Sequence, residues 1–173
     1  MSSVVFGVDP GARDFAVVAV RDGVIVTAET LRAGASPASD WNVTAPLLTK
    51  LARDAWREIE DTDCMESFRD TLRIHVAVES YVYIGGRINQ HFWKGPAVCG
   101  AFAALAPPWA TLHWQTSSAV LSEHSYGPLK ELLRTNGAKR VDPEGLVTNE
   151  HTASAACHAL YLDANIRQGV LDV

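Results

Sequence analysis

The opening of the chain constrains its fold more than any other part. Val4 to Val8 is a short apolar run rich in β-branched residues, and Asp9-Pro10-Gly11 stops it with turn chemistry. Phe15 to Val20 is a second run, Asp22-Gly23 is a tight turn, and Val24 to Thr30 is a third run with partial alternation. Runs joined by turns this short pair as antiparallel hairpins, so the chain opens as a three-stranded meander.

After the meander the hydrophobic period changes. Ala33 to Asp40 is a loop of Ala, Ser, Gly and Pro, and from Val43 to about Phe68 the apolar residues Leu47, Leu48, Leu51, Ala55, Trp56 and Ile59 fall at helical spacing. Leu72 to Val78 is a fourth strand ending at Glu79. Asn89 to Leu105 reads as a second, mostly buried helix that Pro96 either starts or kinks, and Ala110 to Trp114 as a fifth strand. Ser117 to Leu121 and Pro128 to Arg134 are short helical segments, and Thr148 or Asn149 caps a last helix running through Tyr161 towards Ile166. The order predicts a mixed α/β fold around one sheet, with the fourth and fifth strands joining the first in parallel through helical crossovers.

At 173 residues and 47% hydrophobic, the chain holds one domain with a real core, expected to span 1–173. Acidic residues outnumber basic ones, 20 against 15, which excludes binding nucleic acid by bulk charge but leaves room for a local basic groove. Cys64, Cys99 and Cys157 are widely spaced and odd in number, so buried thiols in a reducing compartment are expected rather than disulfides or structural zinc. No apolar run is long enough to span a bilayer, and Met-Ser-Ser leads straight into a strand. A cytoplasmic protein without membrane association is the expectation.

Three places carry candidate chemistry. Asp9 ends an inner strand, where a carboxylate reaches the rim at which ligands bind, although the segment is equally an ordinary Asp-Pro-Gly turn. Gly7 and Gly11 allow a backbone or a phosphate to come close. Glu79 ends LRIHVAV as Asp9 ends VVFGV, and two carboxylates meeting at one rim repel unless a cation lies between them. Mg²⁺ suits such a pair, since it takes one or two carboxylates and keeps waters for a substrate phosphate. In the last helix, Glu150, Ser154 and His158 are spaced i, i+4, i+8, and His151, Ser154 and His158 share a face at i, i+3, i+7. That polar stripe is either a further ligand and acid/base set aimed at the rim, or a dipole-facing acid with one solvated and one buried histidine. For His158 the buried histidine is the preferred reading.

GVDPG, AVES and a late helix bearing an acid or His resemble the RuvC family of Holliday-junction resolvases over essentially the whole chain. The resemblance implies an RNase H-like fold and a homodimer resolving four-way DNA junctions in recombination and repair. It also implies hydrolysis of phosphodiesters with two Mg²⁺ ions per site, Mn²⁺ substituting. Position by position, Asp9 and Glu79 match the first two metal-binding carboxylates and His151 the first member of the helical pair; the second, an Asp in the family, is Ser154 here. A hydroxyl is a poor Mg²⁺ ligand. Either Glu150 substitutes, or the site works with fewer ligands, or catalysis is weakened. The family's junction-wedging aromatic falls on Val82, flanked by Tyr81 and Tyr83, which either stack on bases or pack the loop. Arg13, Arg87, Lys94, Lys130, Lys139 and Arg140 are candidate phosphate contacts, with Lys139-Arg140 the strongest, while Phe92 and Trp93 read as core or dimer interface.

Other functions remain open. A related nuclease acting on RNA and a junction binder with weakened catalysis both fit the residues. An actin-like ATPase needs two such domains and is set aside.

Overall fold

The computed structural model describes residues 4–33, 40–62, 74–80, 93–116 and 141–171. Five strands form one sheet: β1 (Val4–Pro10), β2 (Asp14–Arg21), β3 (Val24–Arg32), β4 (Ile74–Ser80) and β5 (Ala110–Thr116), in the order β3-β2-β1-β4-β5. β1, β2 and β3 pair antiparallel, as the short turns require, and β1–β4 and β4–β5 pair parallel. The β2–β3 turn places Asp22 at φ 52° and Gly23 at φ 81°, the left-handed pair that closes a two-residue hairpin.

Helices cover both faces. Against one face lie α1 (Trp41–Asp61) and α2 (Lys94–Ala104); against the other lies α3 (Glu150–Arg167). On the first face Phe6, Val8, Phe15, Val76 and Val78 meet Leu48, Leu51, Trp56, Ile59, Val98 and Phe102. Phe102 stacks on Trp56 with ring centroids 4.4 Å apart, and its carbonyl accepts from the Trp56 indole at 2.8 Å. Burying a side chain of this size contributes about 1.5–3 kcal/mol.

α1 starts one turn before the apolar stripe, capped by Asp40, whose carboxylate accepts from Asn42 N at 2.9 Å. It ends at Asp61, short of the expected limit near Phe68. Thr62 turns extended there, and its hydroxyl donates to the Glu58 carbonyl that the next helical N–H would have used. In α2, Pro96 occupies the first turn, where a missing N–H costs nothing. The expected short helices at 117–121 and 128–134, the start of the second helix at 89–92, and Cys64 lie outside the described residues. Cys99 and Cys157 are buried thiols that form no disulfide, and burial pushes the Cys99 thiol up to about 12. Among the described residues no helix is long and apolar enough to cross a membrane.

Candidate active site

The parallel register aligns the ends of β1, β4 and β5. Val8 pairs with Val78, so the next residues, Asp9 and Glu79, stand side by side, and Glu79 is in register with Gln115. Because side chains alternate along a strand, Asp9 points to the same face as Val5 and Gly7, which is the face that α3 covers. A row of three polar side chains therefore crosses three adjacent strands under one helix.

α3 comes unusually close to that row. A Cβ on Gly7 would lie 2.0 Å from the Ala155 carbonyl oxygen and 2.9 Å from Ala159 Cβ, so the strand can pass there only as glycine. The helix is fixed at both ends. Asn149 caps it through Thr152 and His151 N–H groups, with the Thr152 hydroxyl answering to the Asn149 backbone. Asp142 holds the approach by accepting from Leu146 N and Val147 N. Near the far end, buried Asp163 accepts from Arg167 Nε at 2.8 Å.

With α3 seated, its i, i+3, i+7 stripe meets the strand row residue for residue. His151 Nδ1 lies 3.0 Å from Asp9 Oδ2, the Ser154 hydroxyl donates to Glu79 Oε2 at 2.9 Å, and His158 Nδ1 lies 2.9 Å from Gln115 Oε1. Burial raises the Asp9 pKa to about 6, reinforced by the charge of Glu79 and opposed by His151. Burial also pushes His158 down, against the pull of Glu79. Two carboxylates in contact, one of them held partly protonated, are a site with excess negative charge.

The other expected residues are less uniformly placed. Glu150, expected to stand in for the missing acid, is 90% exposed, with Oε1 lying 4.0 Å from His151 Nε2. One residue before His151 on the helix, it lies about 100° around the axis from that histidine. Arg13 sits in the β1–β2 turn beside the rim, its side chain 81% exposed and 3.8 Å from Asp14. Lys94, expected as a phosphate contact near the rim, begins α2 and is only 6% exposed, its ammonium 5.8 Å from the Trp93 ring centroid. Tyr81, Tyr83, Arg87, Lys130, Lys139 and Arg140 lie outside the described residues.

Gln115 is not among the residues expected at the site, and for His158 the preferred expectation is a buried core histidine over a member of the rim set. The signal for Gln115 is the register. Aligning the three strand ends, FGVDP, VAVES and LHWQT, puts Gln115 level with Glu79.

By sequence, no family model matches the chain, and no curated protein matches it. By structure, the chain resembles the RuvC protein of Thermus thermophilus in complex with a Holliday junction substrate (17% identity, TM-score 0.61, 96% of each chain). A second Thermus thermophilus RuvC structure agrees at 16% identity, TM-score 0.61 and 96% of each chain. A yeast mitochondrial Holliday junction resolvase is similar at 13% identity and TM-score 0.57, over 97% of this chain and 79% of that one. The likeness defines the class of fold, RNase H-like in its RuvC form, and the five-stranded mixed sheet agrees with it.

Proposed function

We propose that this chain is a structure-selective endodeoxyribonuclease that resolves four-way DNA junctions by hydrolysing phosphodiesters at the rim formed by Asp9, Glu79 and His151. The observation that carries the reading is the pairing of Asp9 and Glu79 at the ends of two adjacent parallel strands, with His151 on Asp9, in a fold shared with a RuvC bound to a Holliday junction substrate.

A divalent cation, Mg²⁺ or Mn²⁺, fits this donor set. Among the described residues no three His, Cys, Asp or Glu side chains converge as a complete protein cage. Mg²⁺ does not need one, because it is held by one or two carboxylates and completes its shell with water and substrate phosphate. Burial and, after it, the charge of Glu79 raise Asp9, and an ion bound between the two carboxylates would offset both. Asp9, Glu79 and His151 would hold it, and bound there it would make water a stronger nucleophile and steady the charge on the leaving oxygen.

The chain's own residues do the rest. With Asp9 ionised, His151 Nδ1 donates to Oδ2, which fixes the ring and leaves the Nε2 lone pair as the one that would face the ion. Ser154 holds one Glu79 oxygen by hydrogen bond, so the carboxylate does not swing away from Asp9. A junction offers two equivalent scissile strands, so two copies related by a two-fold axis belong to the proposal. Arg13, with Arg87, Lys139 and Arg140, takes the phosphates, and Tyr81 and Tyr83 stack on bases at the branch.

The test is a substrate panel: a synthetic four-way DNA junction, linear duplex DNA, and a structured RNA, each with Mg²⁺ and with chelator. Nicks confined to the junction and abolished by chelator are expected. Cutting of the RNA alone, or no binding to any branched DNA, would overturn the proposal.

A further inference from the structure

On the side of the rim away from α3, an exposed indole has no use in the nuclease scheme. α2 links the parallel strands β4 and β5, so it starts beyond their rim ends and runs back along the sheet. Cys99 of that helix reaches the Glu79 carbonyl at 3.8 Å, and Trp93, six residues earlier, stands about 9 Å nearer the helix start. Trp93 packs against the core and holds Trp41, the first residue of α1, edge to face, with 4.9 Å between ring centroids and 61° between planes. Trp41 is still 55% exposed. A large ring is thus fixed above the strand ends with much of its surface in water, and it loses little freedom when a flat partner settles on it.

The surroundings select the partner. Arg13 and Arg32, with side chains 81% and 79% exposed, stand at the same end of the sheet and share the single carboxylate of Asp14, at 3.8 and 3.3 Å. Two guanidiniums against one carboxylate leave a positive excess for an anionic chain, although the protein as a whole is acidic. From Trp41 to Thr49 α1 carries no charged residue, and the carboxylate of Asp40 before it is turned to Asn42 N as the helix cap. Area decides against a protein partner. A tryptophan offers roughly 250 Å² at most, so the open part of Trp41 is on the order of 140 Å². That suits one stacked ring system and falls far below the roughly 800 Å² per partner of a stable protein interface.

We propose that Trp41, held by Trp93, is a stacking platform for an unpaired nucleobase of a DNA strand passing the rim, with Arg13 and Arg32 on that strand's phosphates. The ligand class rests on the nuclease reading. Stacking needs an open π face, which a base paired and stacked in duplex does not offer, so Trp41 favours branched or opened strands over plain duplex.

A labelled oligo-dT strand, bound in the presence of chelator and followed by anisotropy, tests this without any cutting. Trp41→Ala is expected to weaken binding at least about fivefold, and Trp41→Phe less than about twofold. The loss in Trp41→Ala should be the same at low and high salt, because stacking releases no counterions, whereas Arg32→Gln should lower the slope of log affinity against log salt by about 0.7. Equal affinity of wild type and Trp41→Ala would overturn the proposal, and so would a wild type that does not bind the strand. A wild-type dimer that Trp41→Ala turns into a monomer in sedimentation would overturn it too, by making the indole a contact between copies. If Trp41→Ala does not fold, quenching of tryptophan emission by the strand decides: it should be larger in wild type than in Trp41→Phe, and equal quenching would overturn the platform. Trp41-dependent binding by a protein that cuts no junction removes the nuclease reading and leaves this one standing. Junction cutting with equal affinities does the reverse.

Discussion

The two faces of the sheet use the same strands for opposite purposes. Towards α1 and α2 the strands present Phe6, Val8, Phe15, Val76 and Val78, and the helices answer with Leu, Ile, Trp and Phe. Towards α3 they present Val5, Gly7, Ala16 and Ala77, and the helix answers with Ala155, Ala156 and Ala159. Large side chains give the first face its buried area and hold its helices away from the backbone. Small ones let α3 settle onto the sheet. Only at that closeness can a helix carry His151, Ser154 and His158 to within 3 Å of polar groups on three strands. One face supplies stability and the other supplies position.

Substitutions can break this division, and the largest effect is expected where position depends on a missing atom. Gly7→Ala forces a Cβ into the Ala155 carbonyl, and we expect a loss of about 4–5 kcal/mol in urea unfolding together with loss of nicking in whatever protein folds. Phe102→Ala on the opposite face is expected to cost about 3–4 kcal/mol while the folded fraction keeps its nicking rate. If the two variants lose activity per folded molecule alike, the division fails.

A smaller effect comes from Asp9. Its pKa is raised from 3.8 to about 6, so between those values the folded chain holds a proton that the unfolded chain releases. The stability this group contributes is therefore fully present below pH 4 and lost as pH rises through 6. In chelator-treated protein, Asp9→Asn is expected to be more stable than wild type at pH 7 by about 3 kcal/mol, and nearly equal to it at pH 4. A difference that does not change with pH would contradict the burial and the Glu79 contact. The smallest effect is expected at Glu150, which is 90% exposed: Glu150→Gln should change junction nicking less than about twofold. A hundredfold loss there would restore it to the site.

Much of this arrangement is legible in the sequence, for identifiable reasons. The meander shows because its turns are two or three residues long, and Asp22-Gly23 takes the left-handed backbone such a turn needs. Asp9 and Glu79 show because each ends a continuous apolar run, which marks a strand end at the rim. The α3 stripe shows because it is polar at helical spacing in a helix otherwise rich in Ala and Leu. Rotation and register do not show. Spacing alone admits both the Glu150 set and the His151 set, and only the Gly7–Ala155 contact selects the second. Gln115 and His158 become partners only once β5 is aligned with β4. The end of α1 does not show either, because apolar periodicity does not register where the backbone turns extended, as it does at Thr62.

Whether the row under α3 cuts DNA is decided most directly by setting wild type beside Asp9→Asn on a four-way junction with Mg²⁺ and following nicks and binding in the same reactions. Paired nicks on opposite strands near the branch are expected for wild type, and for the variant undiminished binding with nicking reduced at least about a hundredfold. An Asp9→Asn protein that nicks the junction at the wild-type rate would contradict that role of the row.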